Sequence, residues 1–451
     1  MLNVEADKLG VIILDTDVNI KPGLYASCSG RLMSVPTGDS LLGRIIDPLG
    51  NPVDDKGPLL AKERRMVEVI APSIISRTPV NLPLETGLKV VDSLVPIGHG
   101  QRELIIGDSK TGKTSIAIDA ILNQKETDTL SIYVAIGQKR SSVARIARIL
   151  ENNNCMKSTI IVAATASDPA SLQYLAPYSG VAMAEFFMAQ GLRVLIIYDD
   201  LIKHSVSYRQ ISLLLRRPPG REAYPGDVFY SHARLLERAA NLKGLGSVTA
   251  LPIIETIQSD LSAYIPTNVI SITDGQIMLE TELFARGIRP AVSPGLSVSR
   301  VGSAAQNKVL KSMAGTLKLD LAQYREVEGF TKLGFVLDDA TKLLVDKGVL
   351  LTRLLVQNRL APVSMDKQIL FLYSALKGYL DWMPADLVPV YEEEFYRFYS
   401  SDVCHLPLKS NMYTKDNSLD EELVSFILWH FTALFINFAK KSYFYTNKNI
   451  S

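Results

Sequence analysis

The eight residues from Gly107 to Thr114 read Gly-Asp-Ser-Lys-Thr-Gly-Lys-Thr and match the phosphate-loop pattern G-x-x-x-x-G-K-[ST]. The glycines let the backbone wrap closely around a phosphate chain, Lys113 supplies a positive charge, and the Thr114 hydroxyl can hold Mg²⁺. An apolar run precedes the motif and a helix-forming run follows it. The sequence therefore predicts a site for a nucleoside triphosphate. The predicted loop residues are Gly107, Asp108, Ser109, Lys110, Thr111, Gly112, Lys113, Thr114 and Ser115.

A pair of acids, Asp199 and Asp200, follows the apolar run 194–198. Two acids after a strand are by themselves a common surface turn. Beside a phosphate loop, however, an acid at the end of a buried strand is placed to bind the water shell of Mg²⁺. Asp199 is the better candidate, and we expect it to form the metal site together with Thr114.

Hydrolysis of a nucleotide also needs a group that activates water and a positive charge near the γ-phosphate. Gln138 follows the apolar run 130–136, which comes after the helix of the phosphate loop. It could orient a water molecule, but an amide cannot take up a proton. From the residues alone it could equally be a surface amide. Arg300 lies in a loop rich in glycine and serine, where a solvated arginine and one that reaches a phosphate both remain open.

Three regions with different patterns carry these residues. Residues 1–66 contain short β-rich runs, such as 10–14 and 42–46, separated by proline and glycine, which predicts a partial antiparallel β-barrel. Residues 67–305 alternate strands, glycine turns and helices, which predicts an α/β phosphate-loop core. Residues 306–451 have few glycines and helical spacing, which predicts a helical bundle.

The core strands predicted at 130–136, 159–163 and 194–198 are almost continuously apolar. Such runs are expected in a mainly parallel sheet that helices cover on both faces. This arrangement would bring the ends of the strands, and with them Gln138 and Asp199, to the edge of the sheet that also carries the phosphate loop.

Composition limits the alternatives. A chain of 451 residues with 47% hydrophobic residues, 21% charged residues and a net charge of +1 is typical of a multidomain globular protein and predicts no nucleic-acid partner. Three widely spaced cysteines indicate a reducing compartment. The apolar stretch 423–439 contains His430 and Asn437, so we expect a buried terminal helix rather than a membrane span.

Several longer segments resemble the alpha subunits of the rotary proton-translocating ATP synthases. They occur in the family's order across most of residues 1–385. The segments are 96–108, 133–139, 164–168, 213–227, 264–276 and 299–300.

The resemblance implies a ring of three alpha and three beta subunits around a central gamma rotor, with the catalytic sites mainly on beta. Alpha would bind Mg²⁺ with ATP or ADP without turning it over. Gln138 stands where the catalytic partner would carry a water-activating glutamate, and Arg300 matches the arginine that crosses into the neighbouring beta site. The loop 218–227 would face the rotor. By the same analogy, the residues near the adenine are Arg289, Pro290, Gln357 and Arg359.

The chain also departs from that family pattern. Ser109 replaces the usual arginine of the phosphate loop, and Lys110 partly restores the charge. His99 and Arg359 replace other usual residues. Relatives carry several tens of residues before the stretch that resembles the start of this chain, so we expect a separate polypeptide to complete the barrel and to contact the peripheral-stalk subunit. The aromatic-rich segment 426–444 could bind lineage-specific subunits.

Two alternative classes are a self-sufficient hexameric ATPase of the protein-export type and a ring-shaped RNA helicase. The first is expected to carry a carboxylate at position 138, and the second a basic or aromatic RNA-binding surface. Neither feature is visible. Similarity of residues 90–96 to mitochondrial-type chains favours the matrix side of the mitochondrial inner membrane, with the cytoplasmic face of a bacterial inner membrane as second choice.

Overall fold

The computed structural model describes residues 3–4, 7–14, 20–332, 338–400, 424–425, 428–429, 431–432 and 435–436. The N-terminal region forms short strands. Two of its pairs, β1 with β2 and β3 with β5, are antiparallel. The strands of this region are β1 (Asn3–Val4), β2 (Leu9–Gly10), β3 (Ser34–Thr37), β4 (Ile45–Ile46) and β5 (Glu63–Met66).

The core follows as an alternation of strands and helices, as the sequence predicts. Its elements in chain order are β6 (Pro83–Leu84), α1 (Lys89–Leu94), β7 (Ile97–Gly98), β8 (Leu104–Asp108), α2 (Lys113–Asn123), β9 (Thr129–Gln138), α3 (Arg140–Asn152), β10 (Thr159–Thr165), α4 (Ala170–Ala189), β11 (Arg193–Asp199), α5 (Leu201–Leu214), α6 (Val228–Leu236), β12 (Ser247–Thr256), α7 (Tyr264–Ile272), β13 (Gly275–Leu279), α8 (Thr281–Ala285) and β14 (Val298–Ser299).

An eight-stranded sheet organises this core in the order β14-β13-β8-β12-β11-β9-β10-β4. All neighbouring strands are parallel except β13 and β14. Along β9, Tyr133 and Ala135 join one buried apolar cluster, whereas Ile132 and Val134 join another. Because side chains alternate between the faces of a strand, the near-continuous apolar runs have core on both sides. The three predicted core strands are confirmed as parts of β9, β10 and β11.

One expectation about the N-terminal region is wrong. The run 42–46 is not part of an antiparallel barrel, because Ile45 and Ile46 pair in parallel with Ile161 and Val162 at the edge of the central sheet. This position buries Ile46 completely. Residues 10–14 also form less strand than expected, since only Gly10 belongs to β2.

The described part of the C-terminal region is mainly helical, as predicted, and packs on the core through α1. Its helices are α9 (Lys308–Lys332), α10 (Asp339–Leu355), α11 (Met365–Leu376) and α12 (Val388–Ser400).

The stretch 423–439 is described only in part. Its described residues are helical, and two of them, Phe431 and Phe435, pack edge-on against Tyr391. The rest of this stretch, and most of the segment 426–444, lies outside the described residues. Among the helices that the structure describes, none has the length and apolarity needed to cross a bilayer.

Candidate functional site

A cleft of about 1900 Å³ lies at the carboxyl edge of the central sheet, where it faces the C-terminal helices. Ligands of open α/β sheets bind outside this edge. Most of the residues that the sequence singles out meet here. The predicted residues that line the cleft are Lys110, Thr111, Gly112, Lys113, Thr114, Ser115, Gln138, Asp199, Arg289, Pro290, Gln357 and Arg359. Gly107, Asp108, Ser109 and Arg300 are not among the lining residues.

The phosphate loop turns from β8 into α2 with a geometry that only glycine permits at two positions. A Cβ at Gly107 would lie 2.7 Å from the carbonyl oxygen of Leu279. Gly112 caps α2 with φ +105°, in the left-handed region. The N-terminus of this 11-residue helix therefore opens into the cleft without a side chain in front of it, as phosphate binding requires.

The charged side chains of Lys113 and Asp108 order this loop. The Lys113 ammonium donates to the carbonyl oxygens of Gly107 at 2.8 Å and Asp108 at 2.5 Å. Burial lowers the pKa of Lys113, and nearby carboxylates, Glu255 first, oppose this shift.

The Asp108 carboxylate is turned toward neighbouring loops rather than into the cleft. It accepts hydrogen bonds from Thr256 at 2.7 Å, from Ser259 and from Thr281. Burial alone would raise the pKa of Asp108, but these hydrogen bonds together lower it. Asp108 therefore anchors the loop, while Ser109 and Lys110 are exposed at its tip.

The Asp199 carboxylate is the centre of a buried cluster of oxygen and amide groups. It accepts hydrogen bonds from the Thr114 hydroxyl at 2.8 Å, the Tyr133 hydroxyl at 2.6 Å and the Gln138 amide at 3.0 Å. Burial raises the pKa of Asp199, and the bonds from Tyr133 and Thr114 oppose this shift. Hydroxyl and carboxylate oxygens beside a phosphate loop are the ligands that Mg²⁺ uses in nucleotide sites. Together with the glycine turn and Lys113, this donor set fits a Mg²⁺–nucleotide.

Asp200 does something different from Asp199. Its side chain accepts from the backbone amide of Lys203 at 2.7 Å and so caps α5. Burial raises the pKa of Asp200 to about 7. The two adjacent acids therefore separate into one that reaches Thr114 and one that begins a helix.

Sequence reasoning missed Glu255, which lines the cleft at the end of β12. Glu255 pairs in register with Gly107, so it lies beside the start of the phosphate loop. The signal that identified Asp199, an acid at the end of an apolar strand, would also have identified Glu255. Arg145 and Arg353 line the same cleft and carried no such signal.

Elsewhere in the cleft lining, the Gln357 side-chain amide is hydrogen-bonded to three backbone groups. It accepts from the backbone amide of Lys89 at 3.0 Å and donates to the carbonyl oxygens of Gly87 at 2.8 Å and Ala361 at 2.7 Å. The Arg289 guanidinium lies over the Phe284 ring, 4.4 Å from its centroid. Gln357 thus fixes this part of the cleft wall.

Arg300 lies away from the cleft, just after the edge strand β14. Its backbone amide donates to the carbonyl oxygen of Asp274 at 2.8 Å, and its side chain is exposed. Within the part of the chain that the structure describes, its guanidinium has no ion pair. The loop is therefore fixed while the charge that it carries faces outward.

Two protein-family models match the chain. The nucleotide-binding domain of the ATP synthase alpha/beta family matches residues 87–299. The C-terminal domain of the ATP synthase alpha/beta chain matches residues 306–427. The chain is also 54% identical over 424 residues to a protein of Aquifex aeolicus (strain VF5) described as ATP synthase subunit alpha. That similarity covers 93% of this chain and 84% of the relative.

Proposed function

The chain belongs to the alpha subunits of the ATP synthase alpha/beta family, and we propose that it is the non-catalytic nucleotide-binding member of the synthase's hexamer, supplying Arg300 to the site of a neighbouring beta subunit. Family membership makes it a part of the ATP synthase enzyme complex. The observation that carries the proposal is the separation of its groups: Gln138 donates to Asp199 inside the cleft, whereas Arg300 lies outside it.

Within the cleft, the proposal assigns phosphate binding to the loop amides and Lys113. Thr114 and Asp199 would hold Mg²⁺, which neutralises phosphate charge when it is bound. Arg289, Pro290, Gln357 and Arg359 would enclose the base at the other end. The ligand would be ATP or ADP.

Among the residues that line this cleft, position 138 carries an amide in place of a carboxylate, and Arg300 is not included. Gln138 can donate a hydrogen bond but cannot accept the proton of an attacking water. The positive charge of Arg300 is directed elsewhere, and an arginine finger contributes about 10³- to 10⁵-fold to turnover in phosphoryl transfer. We therefore propose that this chain retains its nucleotide and that turnover takes place at the site completed by Arg300.

We propose three subunit partners and a location at a membrane face. The beta subunit would complete the hexamer, the gamma rotor would contact the loop 218–227, and a peripheral-stalk subunit would contact the N-terminal region. A separate polypeptide covering that region is supported by its exposed apolar side chains, which include Leu9, Val11, Leu24, Tyr25 and Leu32. The relative is bacterial, so the cytoplasmic face of a bacterial membrane and the matrix side of the mitochondrial inner membrane both stay within the proposal.

The test is to measure the ATPase activity, bound nucleotide and native mass of the purified chain, alone and after a catalytic beta subunit is added. We expect the chain alone to retain Mg²⁺–nucleotide with little turnover, and the mixture to form an active hexamer. Vigorous hydrolysis by a hexamer of this chain alone would overturn the proposal in favour of an export-type motor.

A further inference from the structure

A buried side-chain network connects the Arg300 loop to the segment that precedes the phosphate-loop strand. Gln101 is completely buried and uses both ends of its amide. Its oxygen accepts from the backbone amide of Gly98 at 2.8 Å, and its nitrogen donates to Glu103 at 2.6 Å and to the Ser299 hydroxyl at 3.0 Å. One side chain therefore joins the start of β8 to the residue before Arg300.

The Ser299 hydroxyl makes two further hydrogen bonds, one to the segment before β8 and one within the Arg300 loop. It donates to the carbonyl oxygen of Pro96 at 2.9 Å and accepts from the backbone amide of Gly302 at 3.1 Å. The hydroxyl belongs to the residue before Arg300 and binds Gly302 after it, while Pro96 and Gln101 hold it in place, so its position sets the direction in which the loop leaves the sheet.

A second connection runs through the backbone. The Arg102 guanidinium pairs with both carboxylate oxygens of Asp274, at 3.0 and 2.8 Å. The carbonyl oxygen of Asp274 in turn accepts from the backbone amide of Arg300. The consecutive residues Gln101, Arg102 and Glu103 thus hold the loop from two directions.

Glu103 is the unusual member of this network because it is a completely buried acid that forms no salt bridge with any described residue. The neighbouring guanidinium of Arg102 is engaged by Asp274. Burial raises the pKa of Glu103 well above its ordinary value, although the hydrogen bond from Gln101 opposes the shift.

The backbone makes room for Glu103. A Cβ at Gly275, on the strand that pairs with β14, would lie 2.5 Å from the nearer carboxyl oxygen of Glu103 and 2.3 Å from the carbonyl oxygen of Val298. A buried polar group of this kind adds little to stability compared with an apolar residue, but a hydrogen-bonded network fixes one geometry.

Building on the proposed function of Arg300, we propose that Gln101 and Glu103 are positioning residues that aim Arg300 at the neighbouring site. Glu103 orients the Gln101 amide, the amide holds the Ser299 hydroxyl, and the hydroxyl sets the path of the loop. Neither residue touches the nucleotide of this chain, since neither lines the cleft. Their loss should therefore impair turnover by the complex and spare nucleotide retention by this chain.

The experiment compares kcat and KM for ATP in the assembled complex of this chain with its beta and rotor subunits. The variants are Glu103→Ala, Gln101→Leu and Glu103→Gln. A misplaced catalytic group costs up to about 100-fold in rate, so Glu103→Ala and Gln101→Leu should lower kcat about 10- to 100-fold. KM should change by less than about threefold, because binding is not affected. Glu103→Gln should retain kcat because the amide has the shape of the carboxyl group and its oxygen can still accept the hydrogen bond from Gln101.

Thr249→Val is the matched control, because the Thr249 hydroxyl is also buried and accepts from the backbone amide of Gly100 without contacting Ser299. A loss of kcat in Thr249→Val as large as that in Glu103→Ala would overturn the proposal in favour of general softening of this segment. If Glu103→Ala does not assemble, Ser299→Ala, which removes a single hydroxyl, replaces it with the same expected loss.

Arg300→Ala separates this inference from the proposed function. If Arg300→Ala leaves turnover intact, the proposed function fails. If it abolishes turnover while Glu103→Ala and Gln101→Leu keep the parent kcat, only the positioning proposal fails. If both hold, adding Gln101→Leu to Arg300→Ala should reduce kcat no further, whereas an additional loss would show that Gln101 acts by another route.

Discussion

The phosphate-binding cleft and the Arg300 loop share one sheet but differ in completeness. In the cleft, Lys113, Thr114 and Asp199 all find partners within the chain. At the loop, Arg102 and Gln101 fix the backbone around Arg300, yet its guanidinium has no ion pair within the described residues. The cleft groups are thus paired within the chain, whereas the Arg300 side chain is exposed.

The residues that form the two regions lie at opposite ends of β8. The phosphate loop follows the carboxyl end of β8, whereas Gln101 and Glu103 precede its start. One strand therefore has the phosphate loop at its carboxyl end and the residues that hold the Arg300 loop before its start. Substitutions in the two regions should consequently have separable effects.

The largest effect is expected for Arg300→Ala. In the assembled complex, turnover should fall about 10³- to 10⁵-fold, the contribution of an arginine finger. Nucleotide retained by this chain should be unchanged, because Arg300 does not line the cleft. Steady-state ATPase assays and nucleotide content after gel filtration measure both quantities.

Arg300→Lys provides the control for charge alone. It keeps the positive charge but loses the planar fork that binds two phosphate oxygens, so turnover should be intermediate. Full turnover in Arg300→Ala would contradict the view that the loop completes another subunit's site.

Lys113→Gln should have the opposite pair of effects, weaker nucleotide binding by this chain and nearly unchanged turnover by the complex. Loss of an ionised donor in a buried site should weaken binding of Mg²⁺–ATP by the isolated chain about 100-fold, as measured by equilibrium dialysis. The initial turnover of the complex should stay within about tenfold of the parent, because the proposed catalytic site lies on the neighbouring beta subunit. Lys110→Gln, the same charge change at the exposed tip of the loop, should have a much smaller effect on binding. Equal losses in both variants would make the cleft a diffuse electrostatic site rather than a built one.

How much of these two regions the sequence predicts depends on the range of the contacts. The phosphate loop and the strand ending at Asp199 are local patterns, and the structure places them together as parallel strands require. The pairing of Ile45–Ile46 with β10 could not be predicted, because a short apolar run fits either sheet. The network of Gln101 and Glu103 was also missed, since Ser299 is nearly two hundred residues away in sequence. The possible role of Arg300 came from family resemblance and not from spacing.

A smaller effect is expected when the pH is lowered. The loss of stability should again be confined to one of the two regions. His204 of α5, the helix that begins after the cleft residue Asp200, contacts His232 of α6, with 3.2 Å between their ring nitrogens. Burial lowers the pKa of His232 to about 4, and burial together with His232 lowers the pKa of His204 well below its ordinary value. A depressed pKa stabilises the fold above the unfolded value of about 6.5, and this stability is lost as the pH falls toward 4.

Hydrogen exchange at pH 7.5 and 5.0, corrected for intrinsic rates, measures this loss region by region. His204→Phe keeps the stacking on Tyr174, 5.1 Å between ring centroids, but cannot be protonated. It should reduce the acid-induced loss of opening free energy in α5 by at most about 2 kcal/mol, the most that one histidine with an unfolded pKa of about 6.5 can contribute between these pH values. Protection of β13, on the Arg300 side, should be the same in the variant and the parent. An equal change in β13 would mean that the two regions open together.

The smallest effect is expected for Gln138→Glu in the isolated chain. The substitution supplies a carboxylate where the Gln138 amide now donates to Asp199, so a base becomes available. A base alone is not sufficient, because Arg300 still does not line this cleft. Hydrolysis by the isolated variant should remain at least about 1,000-fold below that of the mixed complex. Phosphate release at saturating Mg²⁺–ATP, with native mass determined on the same sample, is the measurement.

Rapid hydrolysis by the Gln138→Glu chain would break the comparison between the two regions in one of two ways, and Arg300→Ala in the same chain distinguishes them. If the second substitution abolishes the activity and the sample is oligomeric, copies of this chain supply Arg300 to one another, and the outward-facing loop completes a site of its own kind. If activity persists in a monomer, the necessary charge comes from within the cleft, where Arg145 and Arg353 are the candidates. In that case the cleft, and not the Arg300 loop, would contain the full set of groups for turnover.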